Sequence, residues 1–329
     1  MGDPLNFHCM HKAVLLYNAR SGGRRSQRKS DLQAALKILA EAGVEARLVL
    51  TRSSSDAAEQ ARKGILDGCD TVFACGGDGT IHDVLQAVAG TRVALGVVPM
   101  GTANSLAHDL QLPKDPAEAV RIALTAEPRR IAIGHVQVRG FSGESVTRYF
   151  TVAVGVGVDA HLFYKLNAAV KQRLGMAAYY HKAWHLWFSH RMERFAVEWN
   201  GSAQSAARQR RGITEMLAVR IRNFGGILQE LAPGASLDRD DLRMVLCCNC
   251  SRLSYLLYVI RGFLHTRWRV SGVELFHSEG IRCDYERRDG AEDSAKVYVE
   301  ADGELIGTLP AEVTIVRDAL TILMPKGRR

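Results

Sequence analysis

Short apolar segments alternate with amphipathic ones over residues 12–128. The apolar segments have the length of buried strands, whereas the amphipathic ones repeat apolar residues at helical spacing. The predicted strands are 12–17, 44–50, 70–75 and 93–98. The first predicted helix begins at Ser30 and ends at Gly43, and the second begins at Ala57 and ends at Gly68. The third begins at Thr80 and ends beyond Val88, and the fourth begins at Asp115 and ends at Glu127. This regular alternation predicts right-handed βαβ units around a parallel sheet.

Further along the chain, runs rich in β-branched residues replace this alternation. These runs are 131–138, 149–158, 214–221, 243–248, 297–301 and 312–325. They predict a second domain that is a mostly antiparallel β-sandwich. We therefore expect an α/β fold with a parallel-sheet domain at 10–128 and a β-rich domain at 129–329, joined by a hinge at 126–130. The pattern leaves open whether the last strand returns to the first domain.

Composition adds an expectation about partners. The chain has 329 residues, of which 47% are hydrophobic and 24% charged, so it is long enough for two domains with their own cores. Its net charge of +8 favours an anionic partner, which is a nucleotide, an anionic membrane surface or nucleic acid. We do not expect nucleic acid, because no finger, basic zipper or aromatic-on-sheet motif accompanies the charge.

The cysteines and the hydropathy bear on location. Seven cysteines form no disulfide framework, and Cys247-Cys248-Asn249-Cys250 lacks the paired spacing of a zinc site, so buried thiols and a cytoplasmic setting are expected. The sequence has no signal-peptide pattern and no run of about 18 apolar residues. A lipid partner would therefore be met by peripheral contact at the inner membrane face. The sequence does not set the oligomeric state, with a homodimer as one option.

A glycine-rich junction dominates the first domain. Cys75 ends a predicted strand, and Gly76-Gly77-Asp78-Gly79-Thr80 leads into a helix. Helix N-termini attract anions, and glycines allow close approach of the backbone, so this junction predicts a phosphate site. Asp78 among these donors is a candidate for metal handling or for activating a hydroxyl. The alternative is a tight turn with a solvated aspartate. The junction is neither G-x-G-x-x-G nor a P-loop.

Two segments combine aromatic and basic residues. They are Leu174–Phe195 and Arg252–Arg269. This composition suits a membrane interface. The alternative is an amphipathic helix that packs on its own sheet.

Several segments together resemble the diacylglycerol kinase catalytic-domain family, which comprises bacterial lipid kinases related to diacylglycerol, sphingosine and ceramide kinases. The resemblance covers nearly the whole chain. In the first domain it rests on Asn18-Ala19-Arg20-Ser21-Gly22, on Gly76–Thr80 and on the Pro-x-Gly-Thr-x-Asn segment at 99–104. In the second domain it rests on 155–160, Gly225-Gly226 before Ala232-Pro233, and 301–304. It implies a nucleotide-binding first domain with a fold like that of NAD kinases.

The resemblance also implies ATP as phosphoryl donor, Mg²⁺ as metal and a lipid hydroxyl, presented at a membrane surface, as acceptor at a cleft between the domains. The implied nucleotide-binding residues are Asn18, Arg20, Ser21, Gly22, Thr51, Gly76, Gly77, Gly79, Thr80, Thr102 and Asn104. The implied catalytic residues are Asp78, Asp302 and Glu304, with Glu304 as the base. By spacing alone, Asp302-Gly303-Glu304 is more typical of a β-turn than of a catalytic pair, and the resemblance reverses that order. Asp159 is expected either to bind substrate or to cap a strand end.

Two departures from the family pattern affect the site. Ser105 stands where many members carry an aspartate. In the segment 237–242, which resembles the family's metal loop, Arg239 falls on the metal-binding aspartate. A one-residue slip places Asp240 there, which would make Asp240 and Asp238 the metal ligands. The alternative is that the guanidinium of Arg239 occupies the metal position as a fixed cation and that no metal binds there.

Three functions follow from these observations. A lipid kinase acting on a diacylglycerol or sphingoid acceptor explains most of the motifs. An NAD kinase leaves the 99–104 segment and the aromatic-basic segments without a role. A nucleotide-binding protein without catalysis would account for Ser105 and Arg239.

Overall fold

The computed structural model describes residues 10–18, 25–157, 192–200, 208–225, 231–248, 252–264, 266, 268–286 and 296–327. These residues form two compact units. Unit 1 comprises Met1–Ile133, Asn223–Gly226 and Arg317–Arg329, and unit 2 comprises Gly134–Arg222 and Ile227–Val316. The predicted domains at 10–128 and 129–329 stay a prediction, and the compact units differ from them because two later segments belong to unit 1.

Unit 1 is built on a parallel sheet. Its strands are β1 (Lys12–Asn18), β2 (Glu45–Thr51), β3 (Thr71–Gly76) and β4 (Ala94–Pro99). Its helices are α1 (Arg25–Glu41), α2 (Ser54–Leu66), α3 (Asp78–Val88), α4 (Ser105–Asp109) and α5 (Pro116–Thr125). The strand order is β4-β3-β1-β2, and all neighbours are parallel. The prediction of a parallel α/β first domain is confirmed.

Helix ends in unit 1 follow from local capping. Ser53 and Asp115 each accept a hydrogen bond from the backbone N–H three residues on, as N-cap residues do. Three predicted helix starts were wrong. The structure begins α1 at Arg25 instead of Ser30, α2 at Ser54 instead of Ala57, and α3 at Asp78 instead of Thr80.

Unit 2 is antiparallel. Its strands are β5 (Glu127–Arg139), which begins in unit 1, β6 (Ser145–Phe150), β7 (Ala153–Gly157), β8 (Phe195–Asn200), β9 (Arg208–Ile213), β10 (Glu215–Val219), β11 (Leu242–Cys247), β12 (Val273–Ser278), β13 (Gly280–Tyr285), β14 (Tyr298–Ala301) and β15 (Glu304–Met324). One run of neighbours is β12-β11-β10-β7-β14-β15. A second run is β15-β13-β8-β9. Helix α6 (Arg252–Phe263) follows β11. The predicted antiparallel β-sandwich is confirmed.

Each unit has its own buried core. In unit 1, Leu15, Phe73 and Val98 of the sheet pack with Leu39 and Val120 of the helices. In unit 2, Phe150, Phe195, Met216 and Leu309 are fully buried in one cluster. Each unit therefore has a contiguous cluster of buried apolar side chains of its own.

The last strand crosses between the units. The end of β15 pairs in parallel with β4, through Thr321 and Ala94, and Leu323 belongs to the core of unit 1. The question that the sequence left open is thereby answered, since the last strand returns to the first unit. The predicted hinge at 126–130 was wrong, because Glu127–Arg139 is one continuous strand.

Candidate functional site

The glycine-rich junction joins the buried strand β3 to α3. Gly77 is the N-cap of α3, and no side chain caps this N-terminus. Gly77 also packs against Gly101 of the loop after β4, since a Cβ built on Gly101 would lie only 3.1 Å from the Gly77 nitrogen. The backbones of the two loops therefore approach as closely as glycine permits. This close pair leaves a helix N-terminus facing a second backbone loop, which is the arrangement expected around a phosphate.

Asn104 closes the loop that follows β4. Its backbone is left-handed, with φ 52° and ψ 48°, which asparagine tolerates better than most residues. Its buried side chain accepts a hydrogen bond from the N–H of Gly101 at 2.9 Å and donates one to the carbonyl of Gly101 at 3.1 Å. Asn104 therefore fixes the loop conformation by two hydrogen bonds to one residue.

Asp78 links the two loops. It is half-buried, and its Oδ1 accepts a hydrogen bond of 2.7 Å from the backbone N–H of Ser105 at the start of α4. This contact orients the carboxylate at the position where the sequence predicts metal handling or hydroxyl activation. Ser105 contributes through its main chain, so the serine found in place of aspartate does not affect this contact.

The other predicted nucleotide residues of unit 1 lie at strand ends and loop positions. Asn18 and Thr51 are register partners at the carboxyl ends of β1 and β2, and the Thr51 hydroxyl donates to the carbonyl of Tyr17 at 3.2 Å. Thr80 is buried beneath Gly76, and a Cβ on that glycine would lie 2.6 Å from the Cβ of Thr80. Thr102 is exposed. Arg20, Ser21 and Gly22 lie outside the described residues.

Sequence reasoning missed a second layer of unit 1 that supports α4. The buried carboxylate of Asp109 accepts a hydrogen bond from the N–H of Asn223 at 2.9 Å. The next glycine, Gly225, has φ +78° and lies against the ring of His108, so any side chain there would clash. Segment 223–225 is thereby tied to the helix that follows the 99–104 loop. The glycine-rich motif at 225–226 was the available signal for this contact.

In unit 2, Asp302 holds a tight turn. Its backbone is left-handed, with φ 50°, and its side chain is only 8% exposed. Oδ1 accepts hydrogen bonds from the N–H groups of Val152 and Ala153 at 2.8 and 3.1 Å, and Oδ2 accepts one from Thr151 at 3.0 Å. A carboxylate engaged by three backbone donors stabilises local structure. The catalytic role of Asp302 stays a prediction, and its carboxylate is held by these three backbone N–H groups.

Glu304 lies two residues further, at the start of β15, and is exposed. The turn before it is closed by a second acid, since Glu300 accepts a hydrogen bond from the N–H of Gly303 at 2.8 Å. Glu304 thus projects from a turn that two buried carboxylates rigidify, and it stays the predicted base. Asp159, predicted to bind substrate, lies outside the described residues.

The segment 237–242, which resembles a metal loop, is held by Arg220, a residue that directly follows β10. The side chain of Arg220 is fully buried, and its guanidinium donates to three backbone carbonyls of the loop. These are the carbonyls of Leu237 at 3.2 Å, Arg239 at 2.8 Å and Asp241 at 2.6 Å. Burial lowers the pKa of Arg220 to about 10, so it stays charged at neutral pH.

The carboxylates of this loop are either paired at the surface or exposed. Arg239 donates from Nε to Asp241 at 2.7 Å, and His277 Nδ1 lies 3.1 Å from the same carboxylate. Burial on its own would raise the pKa of Asp241, but the hydrogen bonds from Arg239 and His277 outweigh it and lower that pKa. Asp238 and Asp240 are exposed, and in the part of the chain that the structure describes no three His, Cys, Asp or Glu side chains form a metal site.

The Mg²⁺ implied for Asp240 or Asp238 does not fit these residues. The loop carbonyls that would be its oxygen ligands already face the guanidinium of Arg220. A second cation there would meet like charge at short range. The expectation that Arg239 fills the metal position is also corrected, because Arg239 points to Asp241 at the surface and Arg220 is the buried cation.

Helix α6 carries an unusual distribution of side chains. Leu253, Leu257 and Ile260 of the helix, and Leu264 just beyond it, are 64%, 40%, 36% and 51% exposed, and their spacing places them on one face. Arg261, by contrast, is buried with its guanidinium 4.4 Å from the ring centroid of Tyr258. Among the described residues, no helix is long and apolar enough to cross a membrane. Most of the other aromatic-basic segment, Leu174–Phe195, lies outside the described residues.

Comparison with known families gives two matches that together span most of the chain. Residues 12–136 match the diacylglycerol kinase catalytic domain. Residues 152–324 match the YegS C-terminal NAD kinase beta sandwich-like domain, which is more than half of the chain.

Individual proteins show the same similarity. The chain is 29% identical to a diacylglycerol kinase of Bacillus subtilis over 96% of this chain and 97% of that protein. It is 25% identical to a diacylglycerol kinase of Staphylococcus aureus over 95% and 92% of the two chains.

Solved structures with low sequence identity share the fold. A diacylglycerol kinase from Bacillus anthracis has a TM-score of 0.69 at 16% identity and covers 97% of this chain and 99% of its own. A yeast NADH kinase complexed with NADH has a TM-score of 0.53 at 12% identity, covering 98% and 85% of the two chains. The predicted fold class, which is shared with NAD kinases, is confirmed.

Proposed function

The chain belongs to the diacylglycerol kinase catalytic-domain family, and from this premise we propose that it transfers the γ-phosphoryl group of ATP to the hydroxyl of a lipid of the diacylglycerol type. The observation that carries the proposal is the family match of both units, together with the Asp78-bearing junction within the matched residues 12–136. The relatives named as diacylglycerol kinases support the acceptor class.

The transfer requires little covalent chemistry from the protein. The acceptor oxygen forms a bond to the γ-phosphorus while the bond to the β,γ-bridging oxygen breaks, ADP leaves, and the hydroxyl proton passes to a base. The protein must therefore hold the polyphosphate, neutralise its charge and orient the acceptor.

In this proposal unit 1 holds the nucleotide. The uncapped N-terminus of α3, with Gly77 against Gly101, offers backbone donors at close range to phosphate oxygens. Asn18, Thr51 and Thr102 supply polar groups from neighbouring loops. Asp78 is the residue that would hold a Mg²⁺ ion bound with ATP, and that ion would supply charge neutralisation. One oriented carboxylate suits Mg²⁺, because proteins commonly hold this ion by one or two carboxylates together with substrate phosphates.

Unit 2 supplies the acceptor side in this proposal. Glu304 accepts the hydroxyl proton, as an exposed carboxylate on a rigid turn can do. Asp302 positions it through the three N–H groups at 151–153.

A lipid acceptor also requires contact with a membrane surface, and α6 supports such contact. A helix that buries Arg261 while exposing Leu253, Leu257 and Leu264 gains free energy when lipid covers the leucines. Trp268, 42% exposed, and the exposed Arg269 follow the stripe and suit the interface with anionic headgroups.

An acceptor panel tests the proposal. The purified protein is incubated with labelled ATP, Mg²⁺ and one of diacylglycerol, sphingosine, ceramide, undecaprenol or NAD, and products are separated by polarity. We expect label in the diacylglycerol product. Transfer to NAD alone would replace the lipid acceptor with a nucleotide, and no transfer to any acceptor would favour a non-catalytic nucleotide-binding protein.

A further inference from the structure

The loop at 237–241 contains three carboxylates and one guanidinium within four consecutive residues, 238–241. Its backbone carbonyls converge on one point, where they would repel one another without a positive group. Arg220 supplies that group, and it comes from the end of β10, which is outside the loop.

The acceptors of Arg220 are of the kind that bind a hard cation, since all three are backbone carbonyl oxygens. Nη1 donates to two carbonyls and Nη2 to a third, so one planar group satisfies three acceptors. The carboxylates of Asp238, Asp240 and Asp241 lie near enough to favour its charged form. A planar guanidinium with several fixed donors can serve several acceptors at once, as a lysine ammonium cannot.

Arg220 is also connected to the turn that carries Glu304. Its backbone N–H donates to the carbonyl of Val152 at 2.9 Å. The N–H of Val152 in turn donates to Oδ1 of Asp302 at 2.8 Å. The connection lies entirely within unit 2, and it runs from the loop through one strand end to the acidic turn.

From these contacts we propose that the Arg220 guanidinium is a built-in cation that takes the place of a metal ion in the 237–241 loop and positions the turn of Asp302 and Glu304. The loop then folds without metal, and Mg²⁺ enters the reaction with the nucleotide alone. The positioning part of this inference rests on the proposed lipid kinase activity, whereas the metal-free loop does not.

Thermal unfolding without nucleotide tests the metal-free loop. We expect the same melting temperature in EDTA and in millimolar Mg²⁺. Arg220→Ala leaves three carbonyls without their donor and should lower the melting temperature by about 10 °C. Guanidinium chloride at low millimolar concentration should restore part of this loss, whereas equimolar sodium chloride should not.

Arg239→Ala is the matched control, because it removes the arginine that belongs to the loop itself. Its side chain is 46% exposed, so we expect a shift of no more than about 2 °C. A larger loss from Arg239→Ala than from Arg220→Ala would overturn the proposal. A rise of several degrees for the unaltered protein in Mg²⁺ alone would do the same.

Arg220→Lys keeps a cation with fewer fixed donors and covers the case in which Arg220→Ala does not fold. Its melting temperature should lie between those of the unaltered protein and Arg220→Ala and should not depend on Mg²⁺. A melting temperature that rises with Mg²⁺ would contradict the proposal. Assayed well below its melting temperature, Arg220→Lys should lose about tenfold in kcat with an unchanged KM for ATP. An unchanged kcat would contradict the positioning role of Arg220. It would not affect the inference that the loop folds without metal, because the melting temperature is measured without substrate.

Discussion

Asp78 Oδ1 accepts a hydrogen bond of 2.7 Å from the backbone N–H of Ser105, across 27 residues of sequence. The contact fixes a carboxylate between the glycine-rich junction and the loop after β4. It also explains why serine is tolerated at 105, since only the main chain is used. The carboxylate of Asp78 is therefore oriented by a contact within the protein, which is what a group acting on phosphate or on its metal requires.

The variant Asp78→Asn should distinguish a catalytic role of Asp78 from a role in stability. The amide oxygen can still accept the hydrogen bond from Ser105, so the melting temperature should change little. Loss of the charge should lower kcat by on the order of 10² while ATP affinity changes little, since the group acts mainly in the transition state. Steady-state kinetics and nucleotide titration measure both quantities. Glu118→Gln, at an exposed position of α5, is the control, and near-normal turnover of Asp78→Asn would remove the role of Asp78.

Mutation of Asp302 should lower stability, whereas mutation of Glu304 should lower activity. Asp302→Ala leaves three backbone N–H groups without their acceptor and should destabilise the protein by about 3 kcal/mol or more. Glu304→Gln should keep the melting temperature and lower kcat by roughly 10² or more, as removal of a general base does. Thermal unfolding and turnover are measured on both variants. The assignment fails if Glu304→Gln is fully active or if Asp302→Ala melts normally.

The exposed stripe of α6 should bind anionic vesicles. Leu253→Asp combined with Leu257→Asp places charge on the apolar face and should weaken binding at least tenfold in a vesicle sedimentation assay. Leu66→Asp is the matched control, since Leu66 is 86% exposed on α2 in unit 1 and should have no effect. Binding should also fall as salt rises, because exposed charges are screened beyond about 10 Å at 0.1 M. Equal binding by the two variants would exclude the stripe.

Stability should decrease as the pH falls from neutral. Burial lowers the pKa of His135 below its usual 6.5, with Glu312 opposing the shift. A histidine with a lowered pKa in the folded state is protonated first in the unfolded state, so folding loses free energy as the pH falls below 6.5 towards the folded pKa. The melting temperature should decline less for His135→Gln than for the unaltered protein over this window. His11→Gln changes an exposed histidine and is the control, and parallel curves for all three proteins would contradict the assignment.

Local sequence patterns predicted the parallel half of the fold well. Strands β3 and β4 are buried over their whole length, and their ends agree with prediction to about one residue. Strands β8, β9, β12 and β13 were missed. Strand β9 is rich in arginine and the residues of β12 are only half-buried, so neither shows an apolar run. Strand β13 contains the charged residues Arg282 and Asp284, whereas β8 is mostly buried, so burial does not explain why β8 was missed. Strand prediction from periodicity depends on burial of one face.

The site was predictable only where its signal was local. The spacing of the glycines around Asp78 predicts a phosphate site, whereas no local pattern predicts the contacts of Arg220. Its acceptors are backbone carbonyls 17 to 21 residues away, and carbonyls are the same for every residue type. A single arginine within an apolar segment therefore gave no sign that it would replace a metal.

The central claim is most directly tested by coupling ADP formation to lipid phosphate formation. The purified protein is given ATP and Mg²⁺ with diacylglycerol in mixed micelles, and ADP and phosphatidate are quantified in the same sample. A lipid kinase predicts that ADP appears only when diacylglycerol is present and that ADP and phosphatidate form in equal amounts, with Asp78→Asn reducing both together. Formation of ADP that is independent of diacylglycerol, or no phosphatidate at any enzyme concentration, would contradict the account.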